Sequence, residues 1–118
     1  MNAFLYSDVL EPAGDGPFRV LARISMLSRE QGGPTGPRRA KYRPNHNFGP
    51  ADNRTFYIGQ VEIPEGTELC PGETHDLVVD FFNVRGIADL AKVGASWRIQ
   101  EGPNLVANAE ILKLIPQA

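Results

Sequence analysis

One cysteine and two histidines are the residues of this chain best suited to nucleophilic or metal chemistry. Cys70 and His75 are five residues apart, and His46 lies farther upstream. A cysteine nucleophile needs a base within reach and a third group that orients the base, and a zinc site needs three or four ligands. Because Cys70 stands between Leu69 and Pro71 in a strand-end turn, we expect it to fill apolar space rather than to react. We also expect His75 to face solvent.

Carboxylates are a second possible source of chemistry, as an acid–base pair. They form two groups in the sequence: Asp8, Glu11 and Asp15, and Glu62, Glu65, Glu68 and Glu73. One of them falls on a predicted strand and the others on predicted turns, where carboxylates are normally solvated. Nothing in the surrounding sequence indicates a raised pKa. We therefore expect no enzyme activity.

The glycine-rich stretch at residues 32–39 does not have the pattern of a phosphate-binding loop. Such a loop requires Gly-Lys-Ser/Thr at its end, and its backbone amides hold the phosphates. Here the segment ends in Pro37-Arg38-Arg39, and its prolines remove amides that the phosphate would need. We expect no nucleotide, no metal and no other cofactor.

A basic cluster is the best candidate for a binding site. It comprises Arg38, Arg39, Lys41 and Arg43, with an aromatic residue at position 42. Closely spaced cations beside an aromatic ring are typical of loops that contact phosphates. The alternative is a solvated loop that only keeps this part of the surface soluble.

Composition indicates one small soluble domain rich in turns. The chain has 118 residues, of which 42% are hydrophobic, and it contains 12 glycines and 10 prolines. A net charge of −2 does not suggest a general nucleic-acid binder. A single cysteine cannot form an internal disulfide, and there is neither a signal-peptide pattern nor a long apolar run. We expect a cytoplasmic protein that does not enter a membrane.

Hydrophobic residues alternate along most of the chain, which predicts strands. From Phe18 onward every second residue is apolar, and Trp97 is expected in the core. A long loop follows at residues 28–42, and 84–93 allow a single helical turn. Further strands are predicted at 42–48, 55–63, 77–82, 95–100 and 105–115, with 77–82 apolar on both faces, as expected deep in a closed barrel. About six strands with short turns predict an all-β fold, a closed six-stranded antiparallel β-barrel at residues 18–118, preceded by an arm at residues 1–17.

Two strand-end turns carry a resemblance to a known family. They are Ile-Pro-Glu-Gly-Thr-Glu-Leu-Cys-Pro-Gly at residues 63–72 and Trp-Arg-Ile-Gln-Glu-Gly at residues 97–102. With the segments around them, they resemble the C-terminal β-barrel, the third domain, of bacterial translation elongation factor Tu, over residues 18–115. The resemblance implies a six-stranded barrel. In the family a GTPase domain precedes this barrel, and these 118 residues have no counterpart of it.

The resemblance also implies a binding surface. In the family the basic loop and the turn at Glu101, Gly102 and Asn104 belong to the part that meets the T-stem of aminoacyl-tRNA. This chain departs from the family pattern in both segments: it has Gly-Gly-Pro-Thr-Gly-Pro where the family has Gly-Gly-Arg-His-Thr-Pro, and Gln-Glu-Gly-Pro-Asn-Leu where the family has Arg-Glu-Gly-Gly-Arg-Thr. Each lost cation weakens a phosphate contact.

Two functions are consistent with these observations. The first is a non-catalytic interaction module that binds a translation-related protein or tRNA. The alternative is one piece of a split elongation factor that works with a separately encoded GTPase. The sequence does not specify an oligomeric state.

Overall fold

The computed structural model of the chain describes residues 16–116. The predicted arm at residues 1–17 lies outside the described residues, except for Gly16 and Pro17. Two residues at the other end, 117 and 118, also lie outside them.

Six antiparallel strands close into a barrel, which confirms the predicted fold class. Their order around the barrel is β1-β4-β3-β2-β5-β6. The strands are β1 (Phe18–Met26), β2 (Asn45–Asn47), β3 (Tyr57–Val61), β4 (Thr74–Phe81), β5 (Ser96–Glu101) and β6 (Asn104–Ile115). Closure pairs each strand on both sides, so the barrel presents no open sheet edge.

In the described part of the chain, helical structure is limited to two short segments. A 3-10 turn, Arg29–Gln31, follows β1 and is held by Ser28, whose side chain accepts from the Gln31 amide while the Gln31 side chain accepts from the Ser28 amide. A single turn of helix, α1 (Ile87–Leu90), lies between β4 and β5 and confirms the helical turn predicted there. Within residues 16–116, no helix has the length and apolar character needed to cross a membrane.

The barrel interior is filled by the alternating apolar residues that the sequence predicts. In β1, Val20, Ala22, Ile24 and Met26 are all buried. Side chains on a strand alternate between two faces, so the other face of β1 points outward. Its Arg23 pairs there with Asp76.

The prediction that residues 77–82 lie deep in the barrel, with both faces buried, is wrong. Val79 and Phe81 point into the barrel, whereas Val78 is half-buried and the Phe82 side chain is 57% exposed. The reason is that an antiparallel barrel of this size has one interior, and within residues 16–116 no second layer covers the outer face of β4.

An aromatic cluster forms one part of the core, and it contains Trp97 as predicted. The Phe81 ring contacts the rings of Phe48, Trp97 and His46 at centroid distances of 5.8, 5.6 and 4.9 Å. Gly59 lies directly against this cluster, where a Cβ would come within 3.0 Å of the Phe81 ring. The absence of a side chain at Gly59 therefore lets β3 approach the rings closely.

Candidate binding surface

The basic loop is fixed to the barrel through its backbone. Arg38 and Leu69 exchange two backbone hydrogen bonds of 2.9 and 2.8 Å, and the Val61 amide donates to the Tyr42 carbonyl at 2.9 Å. Between these two anchors, Lys41 has a φ of 67°, a left-handed conformation that is uncommon for a residue other than glycine. The loop is therefore held against the connection between β3 and β4.

Arg38 joins the loop to the turn between β5 and β6, although the two are 63 residues apart in sequence. Its Nε and Nη2 atoms donate to the two carboxylate oxygens of Glu101 at 2.6 and 2.7 Å, and the Tyr42 hydroxyl donates to the same carboxylate. The Arg38 guanidinium holds the pKa of Glu101 below its usual value. Burial, followed by the nearby Glu101, raises the pKa of Tyr42. This bidentate ion pair fixes the basic loop and the turn relative to each other.

The other three cations of the cluster have different partners. Arg39 forms an ion pair with Glu68, with a shortest distance of 2.6 Å. Arg43 donates from Nε to the neutral side chain of Gln60 at 2.8 Å. Among residues 16–116, the Lys41 side chain makes no ion pair or hydrogen bond. Two of the four cations are thus compensated by a carboxylate.

The three predicted residues of the turn lie beside the loop. Glu101 is the partner of Arg38, Gly102 has a φ of 58°, and Asn104 is the exposed first residue of β6. The structure therefore brings the loop and the turn together at one end of the barrel. Their surface carries both signs of charge, and the ion pairs within it were not predicted from the sequence.

We expect the Arg38–Glu101 contact to contribute measurably to stability. Its side chains are only 24% and 36% exposed, and bidentate pairs are stronger than ordinary surface pairs. A double-mutant cycle with Arg38→Met and Glu101→Gln should give a coupling of about 1–2 kcal/mol in denaturant unfolding. The same cycle on Arg39→Met and Glu68→Gln is the control, and a coupling there as large as at Arg38 would contradict the special role of the Arg38 contact.

Cys70, His75 and His46 do not form a site. His46 is buried in the barrel, while His75 pairs with Glu73 at 3.0 Å on the outside. Within the described part of the chain, no group of three potential ligands lies close enough to hold a metal ion. The expectation that Cys70 fills apolar space is wrong, because Cys70 is partly exposed and its neighbour Leu69 is the buried residue.

His46 is a buried polar residue that the sequence analysis did not place. Its Nδ1 accepts from Trp97 Nε1 at 3.0 Å, and its Nε2 lies 3.0 Å from the Gly59 carbonyl oxygen. These partners select the neutral ring with the proton on Nε2. Burial lowers the pKa of His46 to about 4, so the ring serves as a hydrogen-bonded part of the core.

Buried amides form a second polar group, between β2, β5 and the loop that follows β2. Asn47 Nδ2 donates to Gln100 Oε1 at 2.8 Å, and Asn47 Oδ1 accepts from the Asn53 side chain at 2.9 Å and the Gly49 amide at 2.8 Å. Gln100 also accepts from Arg98 at 3.1 Å. Every polar atom of the Asn47 side chain is thus bonded, which removes the cost of burying it. Gln100, next to the predicted turn, is an interior residue and not part of the surface.

One carboxylate has the raised pKa that the sequence analysis did not anticipate. Burial, followed by a hydrogen bond with Asp80, raises the pKa of Glu62. Glu62 follows β3 and Asp80 lies on the outer face of β4, so only the pairing of the two strands brings them together. Arg19 occupies the other side of Asp80 at 2.7 Å.

The geometry of this end of the barrel is that of a fixed, mixed-charge surface on a rigid scaffold. No protein-family model matches the chain.

Proposed function

We propose that this chain is a non-catalytic interaction module that binds a protein of the translation apparatus. The loop carrying Arg38, Arg39, Lys41 and Arg43 and the turn carrying Glu101, Gly102 and Asn104 form its contact surface. The proposal rests on the resemblance of the strand-end turns to the C-terminal barrel of elongation factor Tu. The closed six-stranded barrel is compatible with that resemblance.

The observation that favours a protein partner is the pairing of the cations with carboxylates. Arg38 bonds Glu101 through two nitrogens, and Arg39 bonds Glu68 through two nitrogens. A phosphate group would have to compete with these carboxylates, and the carboxylates would repel it. Protein interfaces use both signs of charge and are enriched in arginine.

tRNA is the second candidate, and two residues favour it. Lys41 and Arg43 have no carboxylate partner among residues 16–116, so their charges remain available for phosphate contacts. A split elongation factor, in which the barrel joins a separately encoded GTPase, is a special case of the protein partner. A gene for that GTPase next to the gene for this chain would favour it.

A capture experiment from cell lysate, with and without RNase, separates the two candidates. For the proposed protein partner, we expect a translation factor or ribosomal protein to be recovered equally well after RNase treatment. For tRNA, recovery would depend on RNA and would fall steeply as salt is raised, because each phosphate contact releases counterions. Recovery of neither class would contradict both candidates.

Matched arginine variants test which surface makes the contact. Arg39 and Arg23 each form an exposed ion pair with one carboxylate, but Arg23 lies on β1, outside the proposed surface. We expect Arg39→Ser to lower recovery of the partner at least threefold while Arg23→Ser leaves it unchanged. Both variants should keep the wild-type Tm, because exposed ion pairs contribute little to stability. Equal losses of binding in the two variants would contradict the proposed surface.

A further inference from the structure

An open groove lies on the outer face of β3 and β4 and adjoins the binding surface, with which it shares Arg43. Its volume is about 630 Å³, and its lining includes Ile58, Phe82, Glu62 and Asp80, with Arg43 as one of its polar residues. Ile58 and Phe82 are 46% and 57% exposed. The Phe82 amide donates to the Ile58 carbonyl at 2.8 Å, so Phe82, directly after β4, lies beside Ile58 of β3, and the two side chains form one apolar area.

The groove lies where the described part of the chain begins. Gly16 and Pro17, immediately before β1, are among its lining residues. Residues 1–15 are therefore attached at a point on the wall of the groove. An extended chain covers about 3.3 Å per residue, so Leu10, six residues before Gly16, is within about 20 Å of that point.

Residues 1–15 have the composition that would suit the groove. They contain five large apolar or aromatic residues in a stretch of seven, namely Phe4, Leu5, Tyr6, Val9 and Leu10. They also contain three carboxylates and no lysine or arginine. The groove offers an apolar area. Its charged lining residues are Glu62, Asp80, which pairs with Arg19, and Arg43, which has no carboxylate partner among residues 16–116.

We propose that residues 1–15 of this chain occupy the groove, with their apolar side chains on Ile58 and Phe82 and a carboxylate near Arg43. Attachment at Gly16 raises the effective concentration of the segment to the millimolar range. A separate protein of equal affinity would need a higher concentration than this to displace it. The segment then covers the apolar area that the outer face of β4 leaves open. This inference does not rest on the proposed binding partner, since the groove and the contact surface share only Arg43.

The first experiment uses 1-anilinonaphthalene-8-sulfonate, a dye that fluoresces on exposed apolar surface. In the full chain, the five arm residues are changed together: Phe4→Ser, Leu5→Ser, Tyr6→Ser, Val9→Ser and Leu10→Ser. We expect dye fluorescence to rise at least twofold, because the groove is uncovered. Adding Ile58→Ser and Phe82→Ser should remove the increase. Unchanged fluorescence in the first variant would overturn the proposal.

The second experiment locates the occupant directly. The photo-crosslinking residue p-benzoylphenylalanine replaces Phe82 in the full chain, and replaces Val93, which is exposed but outside the groove, as the control. We expect position 82 to form an adduct with residues 1–15 of the same molecule, and position 93 to form none. Adducts between two copies, or no adduct with residues 1–15 from position 82, would overturn the proposal.

Discussion

Phe81→Ala is expected to lower the free energy of unfolding by about 3–5 kcal/mol, the usual cost of removing a fully buried aromatic ring. Phe81 is 1% exposed and contacts three other rings, so its loss would leave a cavity at the centre of the aromatic cluster. The neighbouring strands cannot collapse into that cavity, since closure of the barrel fixes their spacing. Denaturant unfolding followed by circular dichroism measures the change.

The adjacent residue is the control for this prediction. Phe82 has the same side chain on the same stretch of chain but points outward, and it is 57% exposed. Phe82→Ala should therefore cost clearly less than Phe81→Ala. Equal costs would mean that the two faces of β4 are equally buried, which would contradict the orientation of the strand.

The strands were predictable because the apolar residues that alternate in the sequence are, with few exceptions, the residues buried in the barrel. β1 is a clear case: its buried residues are the ones that the period of two selects. At residues 77–82 the alternation fails, because apolar residues occupy both faces. Composition alone then indicated two buried faces, and the structure buries only one. The unburied face is the wall of the groove.

The buried polar residues were not predictable from the sequence. His46, Asn47 and Gln100 are all fully buried, yet residues of these types usually lie at the surface. Each is buried with its hydrogen bonds satisfied, and at least one partner comes from another strand: Trp97 and Gly59 for His46, and Asn47 and Gln100 for each other. The partners of His46 are 13 and 51 residues away along the chain, and a local pattern contains no information about them.

The net charge of the binding surface was likewise not predictable from the sequence. Four cations in six residues predicted a basic loop, and the loop is present. Glu68 and Glu101 compensate two of these cations, through contacts that the closed barrel creates. A count of charges along the sequence therefore overestimates the positive potential of this surface, which is why the structure shifts our proposal toward a protein partner.

Stability is expected to fall by about 3 kcal/mol as the pH is lowered from 7.5 to 4, through His46 alone. The ordinary pKa of histidine, 6.5, applies to the unfolded chain, and burial lowers the pKa of His46 in the folded barrel to about 4. Below pH 6.5 the unfolded state therefore binds a proton that the folded state does not. The contribution of His46 is fully present above pH 6.5 and is lost as the pH falls toward 4.

His46→Gln separates this effect from that of the carboxylates, because glutamine retains a donor and an acceptor but does not titrate. The carboxylates with lowered pKa values, such as Glu101, weaken the wild type and the variant alike at low pH, so they cancel in the difference between the two stability curves. That difference should change by about 3 kcal/mol between pH 7.5 and 4. A titration of the His46 ring followed by NMR should have its midpoint near pH 4. A midpoint near 6.5 would mean that the ring is hydrated. The hydrogen bonds to Trp97 and Gly59 could not then be those of a dry core.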